Sequence, residues 1–236
     1  MARTFYDSLA LNDDIELDLS MLEATGSLLH DESKNHSMAT MHSAIGTPLW
    51  LQTSASRFGI DLNRVYPTLD MQQYYDIPAA DCKNLDFTSS DYSLAIWFYW
   101  SHTGSSQIVM GKYVVDNSGW EAYLYFNGTN YFMTVRHHHG GTRTGNYSAG
   151  WVYSQWHLWS YSRTGTTCQH YRDGLPITTI SDVLQDPSSS IANDWRLGCR
   201  FTEDSNWWKA RFHRPRAWSR GLTADEHRLL FELGYP

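Results

Sequence analysis

The sequence predicts an all-β fold: two antiparallel sheets packed face to face, with one short C-terminal helix. Three observations carry that prediction. Aromatic residues make up 15% of the chain, with 11 Trp and 15 Tyr, a composition that suits pleated strands and contact surfaces better than helices. Short alternating runs follow one another with Gly, Asn and Asp turn signals between them, rather than alternating with helical patterns. A convincing helical signature occurs once, at the end of the chain.

Residues 15–21 open the series, with Ile15, Leu17, Leu19 and Met21 at one parity. The polar stretch HDESKNHS, residues 30–37, reads as a turn-rich loop. Short strands are expected at residues 57–63 (RFGIDLN) and 74–78 (YYDIP), the second ended by its proline. Residues 92–100 (YSLAIWFYW) are the strongest strand, with Leu94, Ile96, Phe98 and Trp100 on one face and Ser93, Ala95, Trp97 and Tyr99 on the other. Strands at 107–115 and 119–126 follow, and Asn127-Gly128 is a hairpin signal leading into 131–137. Gly140-Gly141 opens a loop. Further strands are expected at 155–163, 168–172, 195–201 and 209–218, with a tight turn at Asp173-Gly174. Thr223 and Glu226 then form a capping box, Leu229, Leu230 and Leu233 supply an apolar stripe, and Gly234 ends the helix. No repeat or linker interrupts this order. Residues 1–236 therefore read as one domain, with 1–13 as an N-terminal arm, long enough to bury a large core without staples.

The formal net charge is −7 and no Lys or Arg run stands out, which argues against nucleic-acid binding, because phosphates need a basic stripe. No segment has the length of a membrane span, and the N-terminus lacks the pattern of a signal peptide, so a chain without a leader is expected. Cys82, Cys168 and Cys199 fit neither a metal spacing nor an even disulfide framework. Free thiols are expected, with Cys168 and Cys199 left open as a pair if their strands are neighbours.

In this order the pieces resemble the laminin-G-like, concanavalin-A-like jelly-roll family, from about Asp14 to the end. Asp31, Ser33 and Asn35 are similar to the family's Asp-x-Ser-Gly-Asn loop, with Lys34 where glycine is usual. The segment around Trp97 resembles the strand carrying its tryptophan. Trp156 and His157 resemble its W-H-x-v-A-v strand, and Tyr171, Asp173 and Gly174 its Y-v-D-G hairpin. In the closing segment, Trp208, Arg216, Trp218, Leu222, Thr223 and Glu226 match in kind, while Ala210 replaces a glycine and Pro215 interrupts the strand. The resemblance implies a two-sheet jelly roll, a design shared by lectins, glucanases and viral surface domains. Fold alone leaves function open.

A glucanase needs two carboxylates facing one sugar. Glu16 and Asp18 begin such a pattern, but the next acid, Glu23, comes too late, so both are read as outward-facing acids on a half-buried strand and no catalytic residue is assigned. Within His137, His138 and His139, neighbours point to opposite faces, so no metal site is assigned. The resemblance implies a calcium loop as one option for Asp31, Asp116, Asn117, Asp173 and Asp204, against solvated turn acids.

The aromatics are the candidate site. Trp97, Tyr99, Tyr123, Tyr125, Trp159 and Tyr161 are read as lying on outer faces, opposite the core parity of their strands, and as contacts for a partner or a glycan. Cover by the chain's own loops or N-terminal segment is the competing reading. The functional expectation is a non-catalytic virion surface protein, of the kind the resemblance implies for leaderless phage structural chains. It would be made in a host cytoplasm and dock on other virion proteins or on itself. A free carbohydrate-binding lectin, extracellular and contacting cell-surface glycans, is the alternative, and a glycoside hydrolase with displaced acids is the third.

Overall fold

The computed structural model describes residues 10–43, 49–54, 57–62, 73–100, 105–152, 154–181, 185–200 and 208–234. Its first strands are β1 (Ile15–Asp18), β2 (Leu28–His30), β3 (Met38–Ser43), β4 (Leu49–Ser54), β5 (Arg57–Asp61) and β6 (Gln73–Ile77). The long central strands are β7 (Tyr92–Trp100), β8 (Gln107–Val114), β9 (Ser118–Phe126), β10 (Tyr131–His139), β11 (Thr142–Ser148) and β12 (Trp156–Thr164). The chain closes with β13 (Thr167–Arg172), β14 (Leu175–Ile177), β15 (Ile180–Ser181), β16 (Trp195–Leu197), β17 (Ala210–Trp218) and the helix α1 (Ala224–Gly234).

These strands form two antiparallel sheets, as the sequence predicts. An eight-stranded sheet runs β14-β13-β12-β7-β17-β5-β4, with β1 added against β17, and a nine-stranded sheet runs β15-β11-β10-β9-β8-β16-β6-β3-β2. Between them lies a core that includes Ile96, Phe98 and Trp100 from β7, Trp120 and Leu124 from β9, Met133 and Val135 from β10, and Phe212 from β17. Strand alternation puts each of these on the inner face.

The outer face of the eight-stranded sheet is buried too. Ala95, Trp97, Leu158 and Trp218 form a second cluster with Leu11, Leu222 and Leu230. Helix α1 therefore lies over this face, and residues 10–12, a single 3-10 turn, pack beside it. Phe231 stacks on Trp97 with centroids 5.5 Å apart. Gly234 approaches Trp97 so closely that an added Cβ would sit 2.9 Å from its Nε1. The capping box forms as the sequence predicts: Thr223 N–H donates to Glu226 Oε2 at 2.8 Å, and Glu226 N–H donates to Thr223 Oγ1 at 3.3 Å.

Several elements differ from the sequence expectation. Residues 142–148 form β11 rather than a loop, although the segment has no apolar alternation. Its inward positions, Asn146 and Ser148, are buried polar residues, and Asn146 Nδ2 donates to Tyr161 Oη at 3.2 Å. Short strands β2, β3, β4, β14 and β15 also carry little periodicity. Pro215 remains within β17 because the register shifts between His213 and Arg216, and a bulge is where a strand tolerates proline. A shift between Ile15 and Leu17 likewise sends Ile15 to the second cluster and Leu17 to the main core. Residues 63 and 201, the expected ends of two strands, lie outside the described residues.

All three cysteines are free. Cys168 accepts a hydrogen bond from Tyr161 Oη at 3.0 Å, and Cys199 is buried with Tyr74. The open Cys168–Cys199 pairing is thus not made.

Candidate functional site

Glu16 and Asp18 do face away from the core, but not into water. Lys34 Nζ and Asn35 Nδ2 donate to Glu16 at 2.8 and 3.0 Å, and Ser219 Oγ donates at 2.9 Å. Burial pushes the Glu16 pKa up, but the bonds from Lys34, Asn35 and Ser219 outweigh it, and the net direction is down. Asp18 is held by Arg214 through Nε and Nη2 at 2.8 and 2.7 Å. Burial raises its pKa as well, and the Arg214 charge reverses that. Both acids are committed to ion pairs that tie β1 to the following loop and to β17.

The Asp31 loop is a folding device of the same kind. Asp31 Oδ1 accepts the backbone N–H of Asp18 at 2.8 Å and of Ser33 at 2.9 Å, and Oδ2 accepts Ser33 Oγ at 2.7 Å. Asp173 accepts His157 Nδ1 at 2.8 Å and Leu158 N–H at 2.9 Å, which pins the turn into β14. Asp204 lies outside the described residues. Among the described residues no three His, Cys, Asp or Glu side chains converge on a metal position. His137 and His138 point to opposite faces: His137 meets Tyr92 Oη at 2.6 Å in the interior, while His138 stacks on Tyr113 at 5.0 Å.

The six predicted aromatics fall in three places. Trp97 is fully buried beneath α1, so on this sheet the chain covers itself. Tyr99, on the same face, is half-buried between Trp156 at 6.0 Å and the Arg211 guanidinium at 5.1 Å. Trp159 and Tyr161 do not lie on an outer face. They pair with Ile96 and Leu94 across the ladder, and directly opposed residues share a face. Both therefore sit in the core between the sheets. Alternation separates two faces but does not say which is inner. β12 is apolar on both, and its phase is set by pairing with β7.

Tyr123 and Tyr125 stand where the sequence placed them, on the outer face of the nine-stranded sheet. They belong to a longer row. Tyr123 and Tyr125 stack at 6.3 Å, Tyr125 meets Phe132 at 6.1 Å, and Phe132 meets Tyr147 edge-on at 5.8 Å. The row crosses β9, β10 and β11, because Phe132 is paired with Tyr125 and Tyr147 with Thr134. Tyr125 is 39% exposed, and Phe132 and Tyr147 are half-buried. Phe132 followed the hairpin signal and could have been found from it. Tyr147 was hidden because β11 was read as loop.

Polar groups flank the rings. The Arg136 guanidinium lies 4.3 Å from the Tyr123 centroid and 3.3 Å from Glu121 Oε1. His138 Nδ1 accepts the backbone N–H of Asp116 at 2.9 Å, which leaves the neutral ring's proton on Nε2, 3.5 Å from Glu121. Burial raises the Glu121 pKa, but His138 and Arg136 together bring it below its ordinary value, so this carboxylate stays ionised. Elsewhere an open cleft of about 600 Å3 is lined by Asn35, His36, Ser37, Asp81, Lys83 and Asn84 among others, with no Phe, Tyr or Trp in its wall.

Residues 70–226 match the family model described as the concanavalin A-like lectin/glucanases superfamily. No curated protein matches. Among solved structures, the binding domain of botulinum neurotoxin serotype D/C matches with a TM-score of 0.68 and 13% identity over 95% of this chain and 53% of that one. A botulinum neurotoxin DC binding domain in complex with SialylT gives 0.66 and 14%, over 95% and 52%. This chain spans about half the length of those toxin structures. Domain 4 of AbnA, a GH43 extracellular arabinanase from Geobacillus stearothermophilus, in complex with arabinotriose, gives 0.65 and 15%, over 92% and 98%. At such identities the likeness shows the fold.

Proposed function

The chain belongs to the concanavalin A-like lectin/glucanases superfamily, and from that premise we propose a non-catalytic binding domain. Its ligand is a carbohydrate taken up on the outer face of the nine-stranded sheet. One observation carries this: the continuous row Tyr123, Tyr125, Phe132 and Tyr147, with Tyr125 exposed and the Arg136–Glu121 pair beside the buried Tyr123 at one end of the row. Sugar rings present C–H faces that stack on aromatic rings, and their hydroxyls need donors and acceptors at the rim. The AbnA domain solved with arabinotriose, matched over nearly its whole length, supports a sugar ligand on this architecture. The commitment of Glu16 and Asp18 to ion pairs supports a binding rather than a hydrolytic role.

An exposed aromatic row also suits a protein partner, so docking on a second copy or on a virion protein is the competing reading. A glycan array combined with mass photometry separates the two. Retention of glycans by monomeric protein, lost in Tyr125→Ala and Tyr147→Ala, supports the proposal. Stable assemblies that bind no glycan and fall apart in the same variants would replace it with the docking reading.

A further inference from the structure

We infer that the ligand of this face is an uncharged, extended glycan chain that lies across β9, β10 and β11, and not an acidic one. The inference rests on the carbohydrate reading above and deepens it. Tyr123 is only 9% exposed and lies against the Arg136 guanidinium, so the accessible rings are Tyr125, Phe132 and Tyr147, 6.1 and 5.8 Å apart across β9, β10 and β11, a span that more than one sugar of a linear chain would cover. A single monosaccharide would cover only part of that row.

The charge pattern selects the chemistry. On this face Arg136 is matched by Glu121 at 3.3 Å and Arg143 by Asp116 at 3.7 Å. Farther along the sheet Arg196 faces Asp194 at 3.7 Å, and His42 meets Asp76 at 2.9 Å. Each of these basic groups thus has a carboxylate beside it. A sulfate or sugar carboxylate approaching Arg136 would also approach Glu121, which is only 3% exposed and ionised. Drawing Arg136 away would leave that carboxylate with only His138 Nε2, 3.5 Å away, in a poorly solvated site. Neutral hydroxyls meet no such penalty, because each can donate to a carboxylate and accept from a guanidinium. The overall charge of −7 works against acidic ligands in the same direction.

The test is an affinity series with the whole chain on neutral oligosaccharides and on sulfated or uronate oligosaccharides of equal length, at low and high salt. Wild type is expected to retain the neutral series, with little salt dependence and with affinity rising with chain length. Tyr125→Ala should weaken that binding about tenfold or more. Glu121→Gln, nearly isosteric, leaves Arg136 unmatched and should gain salt-sensitive retention of the acidic series. Should that variant fail to fold, Asp116→Asn frees Arg143 at a more exposed position and gives the same readout. Stronger wild-type retention of acidic than of neutral glycans would overturn the inference and leave the carbohydrate reading standing. Retention of neither class would overturn both.

Discussion

The imidazole of His227 stacks on Tyr171 with ring centroids 3.7 Å apart, and its two nitrogens face Ser162 Oγ at 2.7 Å and Ser160 Oγ at 2.8 Å. This is the joint between α1 and the eight-stranded sheet, and its burial disfavours a charged ring. Burial pushes His227 down to about 3, His170 to about 3 and His137 to about 4. In the unfolded chain each titrates near 6.5. Between those limits the unfolded state binds more protons, so the folded state is fully stable toward these groups above about 6.5 and loses stability as the pH falls from there toward about 3. Thermal melts should show a plateau at neutral pH and a steep decline in that acid window. A flat melting temperature across it would contradict the buried neutral histidines.

Trp218 and Thr223 should differ sharply. Trp218 is fully buried and its Nε1 donates to the Leu11 carbonyl at 2.7 Å. Trp218→Ala should cost about 3–5 kcal/mol. Thr223→Ala removes one cap at an exposed helix start and should cost about 1 kcal/mol. Equal small losses in urea unfolding would mean that the segment is peripheral.

Much of this architecture was legible in the sequence, and the exceptions share a cause. Strand β7 announced itself because Leu94, Ile96 and Phe98 alternate with Trp97 and Tyr99, but its second apolar face, read from the sequence as a partner contact with cover by loops or the N-terminal segment as the alternative, is covered mainly by α1. β11 did not, because Gly145, Asn146 and Ser148 are buried without being apolar. Asn146 instead accepts from His170 Nε2 at 2.8 Å, a long-range bond with no local pattern. The inner or outer phase of β12 was illegible for a related reason. Trp156, Leu158, Trp159 and Tyr161 make both faces apolar, and only pairing with β7 decides between them. The outer aromatic row was half visible: alternation gave Tyr123 and Tyr125, while Phe132 and Tyr147 join it only through the strand register.

Removing the charge on β1 should reduce stability. Asp18→Asn breaks a two-point bond to Arg214 in a buried setting, and should cost about 2–3 kcal/mol. Glu16→Gln loses its ion pair with the exposed Lys34 and should cost less. If either variant instead abolished turnover of a polysaccharide by the wild-type protein, the pair would be catalytic.

Reductant should leave the melting temperature unchanged, since Cys82, Cys168 and Cys199 are free thiols. A clear fall on reduction would reveal a cross-link and displace this assignment.

The last prediction sets Tyr125 against Trp159, two aromatics that the sequence placed in one class. Trp159 is fully buried in the core, and its Nε1 donates to His170 Nδ1 at 3.0 Å, so that Trp159→Ala both opens a cavity and removes a donor from a buried ring. A loss of about 3–5 kcal/mol is expected from the cavity alone. Tyr125 is 39% exposed and touches its neighbours mainly ring to ring. Its truncation should change unfolding free energy by about 0.5–1 kcal/mol at most, while ligand retention falls. Urea titrations of both variants beside binding isotherms for Tyr125→Ala decide the matter. A stable Trp159→Ala would mean that β12 presents its other face to the core. A Tyr125→Ala variant that unfolds would make the outer row a packing layer, and the ligand would then have to sit elsewhere, with the polar cleft beside Asn35 and Lys83 the next place to probe.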